Sequence, residues 1–355
     1  MSVPEVVVSQ EHISSSLSLG NGVELGYLDS GAPEQQVYTT IFAIHGMGYH
    51  SPVFQKVIAL SPAVGIRFVA VTRRDYNGST PYTAHELNAL RNGSDSDKQA
   101  FLRARGLEIA TFIERFIQEN SLPAPTSDGK TGGIGILGWS LGASFAVALV
   151  ADLQTYPTPT QKTLGQYLRA LLLQEPPSIA LGLPLTSQSW SPQIDTSIPA
   201  RYRQTGFVQW ITSYFEHGDL STRDPNVLEY VLPTVKRVPS VFTMRQDQLG
   251  EMTNIDAANG GDTLIVVSFP PQLRACYKDA LYNKDIRAAL PRMNVLAFSG
   301  DATANFGIVA LWSVQDDDAA AGGGWVETKI VPGINHFVHW DAPQLAVETY
   351  LSVFD

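Results

Sequence analysis

The fold of this chain is decided by one stretch, Ile134-Gly135-Ile136-Leu137-Gly138-Trp139-Ser140-Leu141-Gly142-Ala143-Ser144. A short apolar run leads into a G-x-S-x-G pentapeptide, and apolar residues spaced as on a helix follow it. A serine on so sharp a strand-to-helix turn is held clear of the sheet, and only glycine fits at the crowded positions 138 and 142. The following helix directs its free N–H groups toward the serine, where a negatively charged oxygen would be stabilised. Ser140 is therefore predicted to be a nucleophile; the alternative is a glycine-rich turn carrying an ordinary serine.

Strand-like and helix-like segments alternate on both sides of this stretch. This alternation predicts an α/β fold with a mostly parallel central sheet flanked by helices. The alternation of strand-like and helix-like segments is interrupted from about residue 178 to residue 290, where the chain is rich in proline and aromatic residues. We therefore predict a core formed by residues 1–178 and 291–355, with residues 179–290 as a mainly helical lid or cap insertion over the carboxyl ends of the strands. The run 316–324, three aspartates followed by alanines and glycines, is interpreted as a flexible loop.

The predicted elements follow from apolar periodicity and turn signals. Strands are predicted at 12–19, 23–28, 40–44, 67–72, 134–137, 168–173, 293–298 and 326–330, with a hairpin turn at Asn21-Gly22 between the first two. Helices are predicted at 97–120, 141–153 and 343–354. Asp341 is interpreted as the N-cap of the last helix.

Composition narrows the class of protein. The 355 residues carry a net charge of −10 and one cysteine, and 44% of them are hydrophobic. The acidic balance argues against nucleic acid or an anionic membrane as the main partner. A single cysteine excludes an intrachain disulfide, and no histidine spacing suggests a metal site. No segment is apolar enough to span a membrane, so we predict a cytoplasmic enzyme without cofactor or metal.

A serine nucleophile needs a base and a group that orients the base. Seven histidines are available, and His336 is favoured because it directly follows the last predicted strand, at the sheet edge where Ser140 lies. His339 is the local rival. His45 begins the segment His45-Gly46-Met47-Gly48 after another strand, and we interpret its side chain as bonded within its own loop. The N–H of Met47, or that of Gly46, together with the N–H of Leu141 is predicted to form an oxyanion hole.

With these residues in place, the chain resembles the α/β-hydrolase superfamily of lipases, esterases and lactonases. The His-Gly-x-Gly loop, the Gly-Trp-Ser-Leu-Gly turn and the Gly-x-Asn-His-Phe segment occur in the order typical of that family. The resemblance covers the chain except for the central insertion, which in this family would be the lid. Dehalogenases and epoxide hydrolases of the family need a carboxylate nucleophile, whereas position 140 is serine.

The orienting acid departs from the commonest pattern of the family. Most relatives carry it as Gly-x-x-Asp after the strand that precedes the histidine strand, where this chain has Thr303; Asp301 lies two residues earlier. Glu175 follows the strand after the serine helix, which is the position of the acid in haloalkane dehalogenases and in the fungal lactonases that open zearalenone. A carboxylate at the end of an apolar strand needs a partner, and an imidazole N–H would serve. Glu175 is the preferred acid and Asp301 the alternative.

The function expected from the resemblance is hydrolysis of a carboxylic ester or lactone of an apolar small molecule by a Ser-His-acid triad. Aromatic residues near the site and in the insertion are candidate substrate contacts, although lid core is the commoner role for such residues; they are Trp139, Trp190, Trp210 and Tyr214. Two alternatives stay open at this point. One is a ligand-binding, receptor-like relative with little or no activity, and the other is an α/β-hydrolase that cleaves carbon–carbon bonds with the same residues.

Overall fold

The computed structural model describes residues 13–354, so residue 12, the first of the predicted first strand, lies outside the described part. Within residues 13–354, eight strands form one sheet in the order β1-β2-β4-β3-β5-β6-β7-β8. The strand β2 pairs antiparallel with both of its neighbours, β1 and β4. All other neighbouring strands are parallel. The predicted α/β class with a mostly parallel sheet is confirmed. The strands are β1 (Ile13–Gly20), β2 (Val23–Asp29), β3 (Thr39–Ile44), β4 (Ile66–Val71), β5 (Ile134–Trp139), β6 (Leu168–Gln174), β7 (Asn294–Gly300) and β8 (Glu327–Val331).

Helices lie on both faces of this sheet. They are α1 (Gln55–Leu60), α2 (Ala84–Asn92), α3 (Asp95–Asn120), α4 (Gly142–Ala151), α5 (Thr158–Tyr167), α6 (Ala200–Ile211), α7 (Gln246–Met252), α8 (Ile255–Ala257), α9 (Thr263–Ser268), α10 (Pro270–Tyr282), α11 (Lys284–Ala289), α12 (Asn305–Ala320), α13 (Val338–Asp341) and α14 (Pro343–Leu351). A π-helical turn, Ala258–Asp262, joins α8 to α9. None of the helices within residues 13–354 is long and apolar enough to cross a membrane.

The central strands are buried on both faces, which is why they are almost continuously apolar in sequence. Every residue of β3, β4, β5 and β6 is buried. Residues of α3 and α4 fill the core on one face of the sheet, and residues of α1 and α14 fill the core on the other. The hairpin between β1 and β2 turns at Asn21 and Gly22, both with positive φ, as the Asn-Gly pair predicts.

The segment between β6 and β7 is mainly helical and divides into two parts. Residues of α6 and of the turn Ala258–Asp262 line the cavity at the carboxyl ends of the strands. The helix α10 lies inside the range predicted as the insertion, yet it packs against α4 and shares its buried core. This part of the segment is therefore a layer of the core rather than a cover over the site.

The interpretation of 316–324 as a flexible loop was wrong for its first half. Residues up to Ala320 continue α12, because the aspartates find partners on the neighbouring elements. Asp317 pairs with Lys278 at 2.5 Å. Asp318 accepts hydrogen bonds from the N–H groups of residues 324–326 and so closes the glycine turn that follows the helix.

Candidate active site

Ser140 occupies the sharp turn between β5 and α4. Its φ of +54° lies in the left-handed region that side chains rarely adopt. Its N–H donates to Gln174 O at 2.9 Å, and its carbonyl accepts from Ala143 N–H at 3.0 Å, so both backbone groups are fixed. A Cβ atom at Gly142 would lie 2.1 Å from Ile44 O, which is why a larger residue cannot stand there. The turn thus stores strain at one residue, a feature that clusters at functional sites.

His336 lies in the loop between β8 and α13, beside the serine turn. Its Nδ1 lies 3.3 Å from Glu175 Oε2, and both side chains are buried. The indole N–H of Trp139, the neighbour of Ser140, donates to His336 O at 3.0 Å and fixes the loop. With Nδ1 on the carboxylate, Nε2 is the ring atom left for the cavity that His336 and Ser140 both line.

Glu175 follows β6 and also has a left-handed backbone, with φ of +52°. Its side chain is completely buried. Oε1 accepts the N–H of Gly300 at 2.5 Å, and Oε2 accepts the hydroxyl of Thr303 at 2.6 Å as well as facing His336. Two neutral donors and one imidazole therefore surround the carboxylate, which suits a buried anion. No local sequence pattern signalled the contact of Thr303 with Glu175, because the order of the strands, which makes β6 and β7 neighbours, is not encoded in such patterns.

Asp301, the alternative acid, makes a different contact. Its Oδ1 accepts the N–H of Gly333 at 2.6 Å, and its own N–H donates to Val331 O. The aspartate therefore holds the turn after β8. The structure brings Glu175, and not Asp301, to the imidazole of His336.

His339, the rival base, lies in a closed pocket among aromatic rings and outside the cavity wall. Its Nδ1 faces the amide nitrogen of Gln174 at 2.8 Å, and that nitrogen is a donor, so Nδ1 must be the acceptor. Burial, followed by the charges of His336 and Lys56, holds the pKa of His339 well below its ordinary value. A neutral, enclosed imidazole without a carboxylate partner lacks the geometry of a catalytic base.

The predicted oxyanion loop lies against the serine turn. A Cβ atom at Gly46 would be 2.8 Å from Ser140 Cβ, so only glycine permits this approach. Met47 and Leu141 both line the cavity beside Ser140. Leu141 is the N-cap residue of α4, and its N–H therefore has no acceptor within the helix.

The side chain of His45 is satisfied within its surroundings, as its sequence context suggested. Its Nδ1 lies 2.9 Å from Gly46 O, and its Nε2 accepts the N–H of Arg73 at 3.0 Å. These partners assign the proton to Nδ1. Burial, and then the charge of Arg73, keeps the pKa of His45 well below its ordinary value.

A cavity of about 650 Å³ opens from Ser140 and His336 into the central insertion. Apolar side chains dominate its wall, and three of the four predicted substrate contacts are among them, namely Trp139, Trp190 and Trp210. The aromatic residues Phe207 and Phe306 also line it, although no motif singled them out.

Tyr214, the fourth predicted substrate contact, does not line this cavity in the described part of the chain. Its hydroxyl donates to Asp341 at 2.5 Å, and the guanidinium of Arg237 lies over its ring. Asp341 is likewise not the N-cap of the last helix, because its carboxylate accepts from Tyr214 and from Ser240 and leaves Ala342 in the cap position. Both side chains connect the insertion to the core.

Comparisons with known proteins identify the family of the chain. A family model described as "Alpha/beta hydrolase family" matches residues 41–349. The chain belongs to the alpha/beta hydrolase family. The match spans β3 to α14 and therefore includes the serine turn, the acid position and the histidine loop. A comparison with curated protein sequences finds no match.

Solved structures share the fold at low sequence identity. The thioesterase domain from the curacin biosynthetic pathway is 17% identical with a TM-score of 0.51, over 97% of this chain and 100% of that one. A carboxylesterase structure from Nitrososphaera gargenis is 13% identical with a TM-score of 0.51, over 96% and 98% of the two chains. A serine hydrolase from Cycloclasticus zankles is 11% identical with a TM-score of 0.51, over 97% and 98%. These likenesses extend to the fold alone.

Proposed function

We propose that this alpha/beta hydrolase is a serine hydrolase that cleaves a carboxylic ester or lactone of an apolar small molecule. One observation carries the proposal above the others. The imidazole of His336 stands with Nδ1 on the buried carboxylate of Glu175 and shares a cavity wall with Ser140. An imidazole oriented on one side by a carboxylate and presented on the other to a strained serine is the arrangement that activates a hydroxyl.

The proposed reaction has two halves. His336 Nε2 takes the proton of the Ser140 hydroxyl while the serine oxygen bonds to the carbonyl carbon of the substrate. The tetrahedral intermediate collapses by breaking the bond to the leaving alkoxide, which receives that proton. His336 then deprotonates water, which attacks the acyl carbon; the bond to Ser140 Oγ breaks, the serine oxygen takes the proton back from His336, and the carboxylic acid leaves. Glu175 stabilises the imidazolium that forms in each half.

Negative charge develops on the carbonyl oxygen of the substrate in both halves of the reaction. This oxyanion needs hydrogen-bond donors in a site from which water is excluded. The N–H groups of Met47 and Leu141 supply these in the proposal, with the N–H of Gly46 as the alternative to that of Met47. Donors of this kind act most strongly where water is excluded. The apolar wall of the cavity favours an apolar substrate, and such a substrate would displace water from the site as it binds.

A panel of aryl esters, alkyl esters and macrocyclic lactones tests the proposal. We expect turnover of at least one apolar member by the wild-type protein and a loss of about 10³-fold or more in Ser140→Ala, without a change in melting temperature. Serine-independent turnover, or no turnover of any ester or lactone, would contradict it. Cleavage of a carbon–carbon bond in a vinylogous diketone in place of the esters would favour the lyase alternative.

A further inference from the structure

A buried ion pair connects the central insertion to the predicted oxyanion loop. Arg73, which follows β4, and Asp262, at the end of the π-helical turn, meet in two hydrogen bonds, Nη1 to Oδ1 at 2.8 Å and Nη2 to Oδ2 at 2.7 Å. Their side chains are 2% and 3% exposed. A paired fork of this kind fixes the plane of the guanidinium as well as its position.

The same guanidinium also binds the loop that passes Ser140. Its Nε donates to His45 O at 3.1 Å and its Nη2 donates to Gly46 O at 2.9 Å. The face of the guanidinium lies 4.4 Å from the ring of Phe145 on α4. Arg73 is thus enclosed between the oxyanion loop, the serine helix and the insertion.

The contact with Gly46 O has a consequence for the next N–H. A carbonyl and the N–H that follows it belong to one planar peptide unit and point in opposite directions. A Gly46 carbonyl held toward Arg73 therefore directs the N–H of Met47 away from it, and Met47 lines the cavity beside Ser140. The Nδ1–H of His45 donates to the same carbonyl and adds a second constraint on this peptide plane.

The carboxylate of Asp262 is also linked to the other end of the oxyanion loop, at Gly48, through the side chain of Tyr76. The hydroxyl of Tyr76 donates to Asp262 Oδ2 at 2.5 Å and accepts the N–H of Gly48 at 2.9 Å. Burial, and then the charge of Asp262, raises the pKa of Tyr76 well above its ordinary value, so the hydroxyl keeps the proton that it donates. Asp262 therefore holds both ends of the segment from Gly46 to Gly48 through two different side chains.

We propose that Arg73, Tyr76 and Asp262 are positioning residues that fix the N–H of Met47 for the oxyanion, so that the insertion completes the catalytic site as well as covering it. This inference rests on the proposed function and adds to it the part of the chain that aligns the donor. None of the three is a catalytic residue, because none of them touches the reacting atoms. A rigid donor matters because alignment before the reaction avoids a reorganisation cost in the transition state.

The test compares two conservative variants with a matched control. Tyr76→Phe removes one hydroxyl and leaves the ion pair intact, and Arg73→Lys keeps the charge but cannot hold the carboxylate and the loop carbonyls together. The control is Arg67→Lys. Arg67 forms a two-point pair with Asp29 whose side chains are 9% and 4% exposed, but at the amino end of β4 and away from the site.

Two quantities are measured for each variant with the best ester of the panel. One is kcat per active site, with sites counted by exhaustive fluorophosphonate labelling, and the other is the inhibition constant of the matching trifluoromethyl ketone, whose serine adduct carries an oxyanion. We expect both site variants to lose about 10- to 10²-fold in kcat with KM within about twofold, and to lose ketone affinity in proportion. Arg67→Lys should keep both values within about twofold, whatever its melting temperature.

The possible outcomes distinguish a failure of the positioning role from a failure of the proposed hydrolase function. Wild-type kcat per labelled site in Tyr76→Phe and Arg73→Lys, or a loss seen only as fewer active sites, would overturn the inference and leave the proposed function standing. If Arg73→Lys fails to fold, Tyr76→Phe alone decides the question. A wild-type protein that neither hydrolyses an ester nor reacts with fluorophosphonate would overturn both.

Discussion

Thr303 donates its hydroxyl hydrogen to Glu175 Oε2 at 2.6 Å, and the same oxygen lies 3.3 Å from His336 Nδ1. Thr303 follows β7 and stands where most alpha/beta hydrolases resembling this chain carry their acid. Glu175 follows the neighbouring strand β6. The two positions therefore meet at one carboxylate oxygen that faces the imidazole, and here the carboxylate comes from β6 while β7 supplies a hydrogen-bond donor to it.

Replacing the carboxylate by an amide should disturb the histidine more than the fold. In Glu175→Gln the side-chain oxygen can still accept from Gly300 N–H, but the amide nitrogen then faces His336 Nδ1 and forces it to act as an acceptor. We expect a loss of about 10²- to 10⁴-fold in kcat with the ester substrate and little change in melting temperature. Asp301→Asn should cost less than about threefold, since Asp301 holds only a turn. The reverse order of these two losses would make Asp301 the acid.

Because positions 303 and 175 lie so close together, an acid at position 303 should restore part of the activity that is lost without Glu175. Glu175→Ala removes the carboxylate, and Thr303→Asp in that background places a new one after the neighbouring strand, where the Thr303 hydroxyl lies 2.6 Å from the site that Glu175 Oε2 leaves empty. We expect the double variant to exceed the single Glu175→Ala variant by about 10-fold or more in kcat/KM, because an acid again orients the histidine. Equal activity of the two variants would show that position 303 cannot orient His336 in this chain.

The lack of a side chain at Gly307 provides the space that the carboxylate of Glu175 occupies. A Cβ atom at Gly307 would lie 2.9 Å from Glu175 Oε2, so the carboxylate would have to shift. We expect Gly307→Ala to lower kcat by about 10-fold or more through the misplaced acid, in keeping with the sensitivity of catalytic geometry to small displacements. The control is Gly250→Ala on α7, where an added Cβ meets nothing within 4 Å. Unchanged turnover in Gly307→Ala would mean that the acid tolerates displacement.

Acid should destabilise the protein through its buried histidines. Burial lowers the pKa of His50 to about 4. The unfolded chain binds the proton at higher pH, near 6.5, so this residue's contribution to stability is complete above about pH 6.5 and is lost as the pH falls toward about 4.

Urea unfolding at several pH values measures this effect. We expect the free energy of unfolding of the wild-type protein to fall by up to about 3 kcal/mol more than that of His50→Leu between pH 7 and pH 4. His45 and His339, also buried with lowered pKa values, act in the same direction in both proteins. Parallel pH profiles for the two proteins would contradict the assignment of this acid sensitivity to His50.

Local patterns predicted the sheet, its main helices and the serine turn, because apolar periodicity and tight glycine spacing express backbone constraints directly. The Ser140 turn is an example, since position 142 lies so close to Ile44 O that no residue larger than glycine fits there. The predicted loop at 316–324 was wrong for residues 316–320, which continue α12, because Asp317 and Asp318 are held by partners that lie far away in sequence or after the glycine turn.

Contacts between distant segments account for what the sequence could not predict at the candidate site. Glu175 and His336 could be weighed as partners, since both follow strands of a parallel sheet. The contact between Arg73 and Asp262 joins residues 189 positions apart and carries no local signal. Tyr214 was misjudged for the same reason, because only the folded chain brings Asp341 to its hydroxyl.

Peptide mass spectrometry after fluorophosphonate treatment shows whether Ser140 is the residue that forms the covalent intermediate. We expect one phosphonate adduct, on the peptide that contains Ser140, in the wild-type protein, and we expect no adduct in Ser140→Ala. Labelling should fall in Glu175→Gln and persist in Asp301→Asn. An adduct on another serine, or full labelling of Ser140→Ala, would contradict the account.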